Sequence, residues 1–524
     1  MPDHHVIVVG AGVAGLVAAA DLARRGMQVT VLERAAVPGG KLRQVQADGA
    51  WIDSGPTVFT MRWVFEDLFA DAGLQLSSHL QLEPLSVLAR HAWGAGGQLD
   101  LHADVARSAD AIGMFSGLAE ARRFRAFCEQ ARKVYDTLEG PYIRSSRPSA
   151  ASLTRDIGLR GTAVLTGLGP FRNLWRSLGR HFHDVRLQQL FARYATYCGS
   201  SPFEAPATLM LVAQVEMQGV WAVRGGMIAL ARALAALAER QGATIRCQAP
   251  VAQLCVERGQ VAGVVLEDGE RIHADAVVFN GDVGALSAGR LGAGARSATP
   301  IVPTESRSLS ALTWSIHAKT RGFELVRHNV FFDADYASEF RDIFGHRRLP
   351  SEPTVYVCAQ DRTDAGRATP PSDAMLARAE APERLLCLVN APAVGDIHPI
   401  AQQAIDDCAD RAFALLERCG LQVDREPSNT VITSPNDFER LFPATGGALY
   451  GRASHGWMSA FARPDAASAL PGLYLAGGSA HPGPGVPMAA LSGRLAAARL
   501  MQDHAGRQRR KRVVIQQQHR HASA

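Results

Sequence analysis

The sequence lacks several features that would decide the class of this protein at once. None of its eight cysteines forms a C-x-x-C pair, and the first residues do not resemble a signal peptide. We therefore expect reduced thiols and a cytoplasmic location. No apolar run reaches the roughly 18 residues that a membrane-spanning helix requires, so we do not expect the chain to cross a membrane.

Motifs for metal-dependent and nucleophilic chemistry are also missing. The His-Phe-His segment at 181–183 has no further ligands at metal-binding spacing. No serine lies in a G-x-S-x-G turn, so a serine hydrolase of that type is not indicated. We expect neither a metal site nor a serine nucleophile.

Charge is concentrated at one end of the chain. The net charge is +5, but residues 507–524 contain six Lys or Arg and no acid, so the rest is close to neutral. No aromatic residue is interleaved with these charges, which argues against a nucleic-acid surface. We expect residues 506–524 to form a basic, disordered tail, with contact to an anionic surface as the alternative.

The strongest positive signal lies near the amino terminus. An apolar run at 6–9 predicts a buried parallel strand, and Gly10, Gly12 and Gly15 then form G-x-G-x-x-G before an alanine-rich helix. A second apolar strand follows and ends at Glu33, which is placed to bind ribose hydroxyls. Strand, glycines, helix, strand and acid in this order predict a dinucleotide site with its pyrophosphate at the helix amino terminus.

The residues after this motif favour FAD over NAD. Gly39 and Gly40 are followed by short extended runs with turn signals at 48–49 and 54–56. An NAD-binding domain would continue with regular alternation of strand and helix. The hairpin-like excursion is typical of flavin-binding relatives of the dinucleotide fold.

Two later segments extend the same predicted site. Gly225 and Gly226 precede an alanine- and leucine-rich helix, and a strand meander then returns to a buried strand at 276–279. The segment YLAGGSAHPGPGVPMAA, 474–490, repeats the pattern of strand, glycine turn and small-residue helix. Apart from Tyr474, its only ionisable side chain is His481. The sequence thus predicts three separated pieces that fold around one flavin.

These motifs together resemble the bacterial carotenoid desaturases of the phytoene desaturase type, over nearly the whole chain. The resemblance is carried by the first glycine block, by DSGPTV at 53–58, by the segment from Arg224, and by AGGSAHPGPGVP at 476–487. The segment 55–69 is most similar to the subgroup that acts on hydroxylated acyclic carotenoids, the hydroxyneurosporene (1-hydroxycarotenoid 3,4-) desaturases. The resemblance implies an α/β FAD-binding Rossmann-like domain, as in monoamine oxidases and phytoene desaturases, with an inserted mixed α+β substrate domain.

The resemblance also implies a reaction and a set of site residues. The reaction would be formation of a C3–C4 double bond in a 1-hydroxylated acyclic carotenoid by hydride transfer to FAD, with an unknown electron acceptor. His481 is a candidate proton acceptor, and a histidine bonded to backbone is the alternative. The residues expected at FAD are Gly10, Gly12, Ala14, Gly15, Glu33, Arg34, Gly40, Lys41, Val251, Gly478, Val486, Pro487 and Met488. Lys41 stands where the family commonly has arginine, so Arg43 remains an alternative partner of the phosphates.

The intervening residues are expected to hold the substrate. We assign 1–75, 220–290 and 431–505 to the FAD domain, and 76–219 and 291–430 to a substrate domain that associates with a membrane. The arginine-rich amphipathic segment 168–182 predicts a helix in the interface of the inner or photosynthetic membrane, or alternatively a core helix with a solvated arginine face.

Other functions compatible with the same fold remain open at this point. They are a phytoene or neurosporene desaturase, a carotenoid isomerase and, in a different class, a prenyl-chain carrier without redox turnover.

Overall fold

The structure, a computed structural model, describes residues 4–146, 149–169, 172–364, 366–367 and 381–522; for 366–367 and 510–522 it describes the backbone alone. Its strands are β1 (His5–Val9), β2 (Gln28–Leu32), β3 (Gln44–Ala47), β4 (Ala50–Asp53), β5 (Leu82–Pro84), β6 (Val87–Ala92), β7 (Gln98–His102), β8 (Trp221–Val223), β9 (Thr244–Arg246), β10 (Val251–Glu257), β11 (Gln260–Leu266), β12 (Arg271–His273), β13 (Ala276–Phe279), β14 (Ser310–Ala318), β15 (Thr320–Gly322), β16 (His328–Phe331), β17 (Val355–Ala359), β18 (Arg362–Thr363), β19 (Gly366–Arg367), β20 (Glu383–Ala391), β21 (Leu421–Val423), β22 (Thr430–Thr433) and β23 (Leu473–Leu475). Its α-helices are α1 (Val13–Arg24), α2 (Arg62–Asp71), α3 (Val105–Ser116), α4 (Leu118–Leu138), α5 (Ala150–Leu168), α6 (Leu174–His181), α7 (Val185–Ala192), α8 (Leu211–Met217), α9 (Ile228–Arg240), α10 (Val283–Ser287), α11 (Tyr336–Phe340), α12 (Gln402–Arg418), α13 (Pro435–Leu441) and α14 (Val486–Ala522).

A five-stranded parallel sheet joins the three predicted nucleotide-binding pieces. Its strand order is β23-β13-β1-β2-β9, and every neighbouring pair is parallel. Val6, Ile7 and Val8 of β1 are fully buried because helices cover the sheet, and α1 packs against both α9 and α14. The predicted α/β fold built from separated lengths of chain is confirmed.

The two excursions from this sheet also match the sequence. Strands β3 and β4 form an antiparallel hairpin whose turn residues Asp48 and Gly49 both have positive φ, as a two-residue hairpin turn requires. Strands β10, β11 and β12 form a separate antiparallel sheet before the chain returns through β13. The hairpin predicted after Glu33 and the predicted meander are therefore both present.

A second, seven-stranded sheet is formed mainly by the inserted residues. Its order is β22-β14-β20-β17-β16-β6-β7, and its pairs are antiparallel except for β16 with β6. Helices α3 to α8 contribute to a further apolar core. The sheet extends past the predicted boundary between residues 430 and 431, because β22 crosses it and pairs with β14.

The packing of helix α6 does not agree with the membrane contact predicted through residues 168–182. Trp175 packs against Phe203 and Tyr336, while Phe171 lies outside the described residues. The other apolar side chains of this face are fully buried: Leu174, Leu178 and Phe182. The apolar face belongs to the protein core, so the alternative of a core helix with an arginine-rich outer face describes this segment.

The carboxyl-terminal segment differs from its prediction as well. Helix α14 continues to Ala522, where the sequence predicted a disordered tail. No proline follows Pro487, and Gln, Arg and Lys, which favour helices, make up much of the segment after Gly506. Among the described residues, none of the helices has the length and apolar character needed to cross a bilayer.

Candidate active site

One cavity of about 1280 Å³ connects the two sheets. Its walls contain residues from all three pieces of the parallel-sheet unit and from both inserted segments. Nearly all of the predicted cofactor residues line it: Gly10, Gly12, Ala14, Glu33, Arg34, Gly40, Lys41, Val251, Gly478, Val486, Pro487 and Met488. The chain thus brings distant glycine motifs to a single elongated chamber.

Gly15 is the predicted cofactor residue that does not line the cavity, and its role is packing. A β-carbon at this position would lie 2.1 Å from the carbonyl oxygen of Gly10 and 2.8 Å from Oδ1 of Asn280. The Gly15 N–H donates to the same Asn280 oxygen at 2.8 Å. Only glycine lets α1 approach β1 and Asn280 this closely.

Asn280 links the three pieces and was not identified from the sequence. Its Oδ1 accepts from Gly15, its Nδ2 donates to the carbonyl of Ala476 at 3.1 Å, and its own N–H donates to Val9. It directly follows the buried strand β13. A polar residue at the carboxyl end of a predicted parallel strand was therefore the available signal, since ligands bind at that edge of such sheets.

The amino terminus of α1 forms an open anion-binding end. Its cap residue, Gly12, contributes no side-chain hydrogen bond, and its first turn has no acidic residue. Val13 and Ala14 of this turn line the cavity. Backbone N–H groups at a helix amino terminus attract phosphate oxygens, so this end fits a pyrophosphate.

Glu33 and Val251 are the residues that we predict to contact the adenosine of FAD. The Glu33 carboxylate accepts from the N–H of Ala11 at 2.7 Å and from the N–H of Ala35 at 2.8 Å, which fixes it at the end of β2. Both Glu33 and Val251 line the cavity. The glycine cradle, the open helix end and a fixed acid together fit a bound dinucleotide.

Three cations stand beside this part of the cavity. The Lys41 ammonium donates to the carbonyl of Leu449, and burial lowers its pKa although Asp282 opposes the shift. The Arg43 guanidinium donates to the hydroxyls of Ser54 and Thr433 at 3.1 and 3.0 Å. Arg34 donates to the carbonyl of Leu441. All three line the cavity, so both Lys41 and Arg43 remain candidates for the phosphates.

The glycine- and proline-rich segment after β23 forms a wall fixed by Arg463. This buried arginine donates from Nη1 to the carbonyls of Tyr450 and Gly478, at 3.0 and 2.9 Å. Gly477 has a φ of +127°, which favours glycine at the start of the turn. Pro482, Pro484 and Pro487 line the same wall and present no N–H groups.

His481 lies behind this wall and is not among the residues that line the cavity. Its Nε2 faces the carbonyl oxygens of Tyr142 and Ser145, at 3.0 and 2.9 Å. Because both partners are acceptors, Nε2 carries the proton and donates. Burial lowers the pKa of His481 to about 4. The contacts are those of the alternative interpretation, a histidine bonded to backbone, and its predicted catalytic role stays a prediction.

The inserted residues form the remaining, largely apolar part of the chamber. One row of side chains crosses the second sheet from strand to strand, because Thr313 pairs with Leu388, Leu388 with Tyr356, and Tyr356 with Val330. All four line the cavity. Apolar side chains of α4, α5 and α8 cover the other side: Leu138, Leu153, Ile157, Leu165, Leu211 and Val212.

A buried polar cluster interrupts the apolar chamber, and sequence reasoning did not identify it. Arg193, Tyr197 and Glu216 line the cavity together with Thr57 and Tyr356. Tyr197 donates to Glu216 at 2.8 Å, and the hydroxyls of Thr57 and Tyr356 lie 2.7 Å apart. These positions are far apart in the chain and form no motif, so only the fold brings them together.

Comparison with known proteins agrees with the cofactor site. The family model described as "Flavin containing amine oxidoreductase" matches residues 13–501. The chain is 61% identical over 513 residues to hydroxyneurosporene desaturase of Rubrivivax gelatinosus, covering 98% of this chain and 96% of that protein. It is 44% identical over 504 residues to hydroxyneurosporene desaturase of Cereibacter sphaeroides, covering 96% of this chain and 99% of that protein.

A solved structure of a putrescine oxidase triple mutant aligns with a TM-score of 0.59, covering 96% of this chain and 99% of that one. At 15% sequence identity, this likeness concerns the fold alone.

Proposed function

Since the chain belongs to the flavin containing amine oxidoreductases, within the bacterial carotenoid desaturases, we propose that it is an FAD-dependent desaturase of 1-hydroxylated acyclic carotenoids that forms their C3–C4 double bond. The single observation that carries this proposal is the 61% identity to a hydroxyneurosporene desaturase over 98% of the chain. The cavity supports it, because one chamber joins a dinucleotide cradle to an apolar space.

The residues around the cavity suit a reaction that needs little acid–base chemistry. When bound, FAD supplies the two-electron oxidation by taking a hydride from the substrate, while the second hydrogen leaves as a proton. The chain positions the polyene and excludes water: Pro482, Pro484 and Pro487 present no N–H groups to the cavity, and apolar side chains of α4, α5 and α8 line its inserted part. A dry, close-fitting slot favours such a transfer.

Anaerobic mixing of the purified holoenzyme with 1-hydroxyneurosporene tests the proposal. We expect the oxidised flavin absorbance to bleach while the polyene absorbance shifts to longer wavelength. Phytoene and neurosporene are the comparison substrates, and bleaching with them alone would replace the proposal by another desaturase. Isomerisation of the polyene without net oxidation would indicate a carotenoid isomerase. Binding of the polyene without any bleaching would indicate a carrier.

We also propose that the protein contacts a membrane at the mouth of the cavity. Trp457 lines the cavity and is 51% exposed, and the neighbouring Met458 is 44% exposed. Helix α5 lines the same chamber and carries Leu159, which is 91% exposed. A half-exposed tryptophan beside an apolar chamber suits the interfacial region of a bilayer, from which a polyene would enter.

Liposome flotation tests this contact. Trp457→Ser combined with Leu159→Ser should reduce the bound fraction several-fold, because both replacements remove exposed apolar area. Trp51→Ser is the matched control, since Trp51 is 56% exposed but is not among the residues that line the cavity. Equal flotation of the double variant and the native protein would exclude the mouth as the contact surface.

A further inference from the structure

The proposed reaction assigns no role to the polar cluster in the chamber wall. Its central residues are deeply buried: Arg193 is 5% exposed and Glu216 is 4% exposed. Both nevertheless line the cavity. Taking an ion pair out of water is energetically unfavourable, so its presence in an apolar chamber calls for a ligand-related explanation.

Within the cluster, the carboxylate is well supplied with donors. Glu216 accepts from Tyr194 at 2.6 Å, from Tyr197 at 2.8 Å and from Nη2 of Arg193 at 3.3 Å. Arg193 also donates from Nη1 to the Tyr197 hydroxyl. Burial disfavours the charged guanidinium, but neighbouring Tyr197 and Glu216 raise the pKa of Arg193, so it stays positive. Arg193 and Glu216 therefore form an ion pair whose net charge is close to zero.

The guanidinium, by contrast, has donors left over. An arginine carries five N–H groups, and the buried Nε of Arg193 has no hydrogen-bond partner in the structure. A buried donor without a partner destabilises the folded protein. Nη1 and Nη2 each carry a second N–H beyond the bonds named above. Since Arg193 lines the cavity, an oxygen acceptor on a bound ligand would accept from one of these groups.

The chemistry of the cluster selects a neutral oxygen. Glu216 already balances the charge of Arg193, so an anionic ligand is not required. Tyr197 and Tyr356 carry hydroxyls that can both donate and accept, which suits an alcohol better than a carboxylate. The surrounding wall is apolar, so the ligand carries this oxygen at one point of an otherwise apolar chain.

The cluster also lies beside the nucleotide end of the chamber. Thr57, which contacts Tyr356, closely follows Gly55, and a β-carbon on Gly55 would lie 1.9 Å from the carbonyl oxygen of Lys41. The polar cluster is thus tied to the segment that carries Lys41 at the cofactor. In a 1-hydroxylated carotenoid the hydroxyl is only a few bonds from C3 and C4, so its binding site must be near the flavin.

We propose that Arg193 and Tyr197, with Glu216 holding the guanidinium in place, bind the C1 hydroxyl of the carotenoid and so determine the specificity of the enzyme. This inference rests on the proposed function, because it assumes a hydroxylated substrate. Arg193 and Tyr197 contact the hydroxyl, and Glu216 is a positioning residue.

Two variants of the holoenzyme test the proposal. Arg193→Met combined with Glu216→Gln removes both charges together, so neither is left buried alone, and Tyr197→Phe removes one hydroxyl. For each, kcat/KM for 1-hydroxyneurosporene is measured from anaerobic flavin bleaching, and neurosporene is titrated as a competitor to obtain its inhibition constant. Arg90→Met with Asp100→Asn is the matched control, since this bidentate ion pair is not among the residues that line the cavity.

We expect the double variant to lose about 10- to 100-fold in kcat/KM for the hydroxylated substrate, while the inhibition constant of neurosporene is unchanged. Tyr197→Phe should lose less, in the same direction. An equal change for both ligands, or no change for either, overturns the inference. If the double variant fails to retain FAD, Tyr197→Phe alone decides by the same criteria. An inactive native enzyme would instead refute the proposed function, so the two failures are distinguishable.

Discussion

The two halves of the cavity are built in different ways. The nucleotide end is made of backbone: glycines that allow close approach, an open helix terminus and one fixed acid, all in contiguous motifs. The substrate end is made of side chains, such as Arg193, Glu216 and Tyr356, that come from unrelated positions. In our proposal, the first end binds FAD and the second end selects the hydroxylated substrate. The difference indicates that cofactor recognition follows from short contiguous motifs. Substrate recognition instead depends on residues that only the fold brings together.

The largest expected effect concerns the backbone half. Gly15→Ala should abolish FAD retention, because the new methyl group would lie 2.1 Å from the Gly10 carbonyl oxygen and α1 must move. Overpacking of this kind costs about 1–3 kcal/mol or more, so we expect purified protein with less than about a tenth of the native flavin absorbance. Gly506→Ala is the control, since nothing lies within 4 Å of its added methyl group. A yellow Gly15→Ala protein would contradict this account.

The next largest effect concerns the contact between the cofactor segment and the inserted domain. There, Nε2 of His481 donates to the carbonyl oxygens of Tyr142 and Ser145. Its folded-state pKa, about 4, lies below the ordinary value of 6.5. The unfolded chain thus binds a proton more readily, and the stabilising effect present above pH 6.5 is lost as the pH falls toward 4. The shift corresponds to a difference on the order of 3 kcal/mol.

We therefore expect the melting temperature of the holoenzyme to fall less steeply between pH 6.5 and 4 in His481→Gln than in the native protein. Other buried histidines, such as His91 and His328, are present in both proteins and cancel in this comparison. Identical slopes would show that His481 does not contribute. The same variant tests the predicted catalytic role: full turnover at pH 7 would remove His481 from the mechanism, whereas lost turnover with FAD retained would support it.

A smaller effect is expected at Asn280, whose side chain links the three pieces at the nucleotide end of the cavity. Asn280→Ala removes the bonds to Gly15 and Ala476 without a steric clash. We expect FAD to bind about 5- to 30-fold more weakly, from roughly 1–2 kcal/mol of lost hydrogen bonding, as measured by titration of FAD into the apoprotein. Asn429→Ala is the control, because it loses three side-chain hydrogen bonds at a turn that is not among the cavity-lining residues. Equal weakening in both would exclude a specific role of Asn280.

The smallest effect is expected at the hydrogen bond between Thr57 and Tyr356. Thr57→Val keeps the shape of the side chain but removes its hydrogen bond to Tyr356. We expect a loss of about 0.5–1.5 kcal/mol in stability, seen as a shift of one to a few degrees in melting temperature, about the size such a loss produces in a domain. FAD content should be unchanged. A loss of FAD would show that Thr57 belongs to the nucleotide half instead.

The same division explains what the sequence could predict. Gly10, Gly12 and Glu33 were identified because a tight turn, a helix and a strand force fixed spacings on the residues between them. Arg193 and Glu216 were not, because no local geometry relates a 3₁₀ segment to a helix more than 20 positions away. The amphipathic pattern of α6 correctly predicted a helix. Such a pattern identifies the apolar face of the helix but does not show whether protein or lipid covers that face.

The position of β23 in the parallel sheet has a consequence for the biosynthesis of the enzyme. This strand pairs with β13 and leads directly into the wall around Gly478, so the last of the three pieces completes the cradle. A ribosome translates the first two pieces and both inserted segments before that strand exists. We therefore expect FAD to be retained only after this strand has been made, so products that terminate before β23 should be colourless.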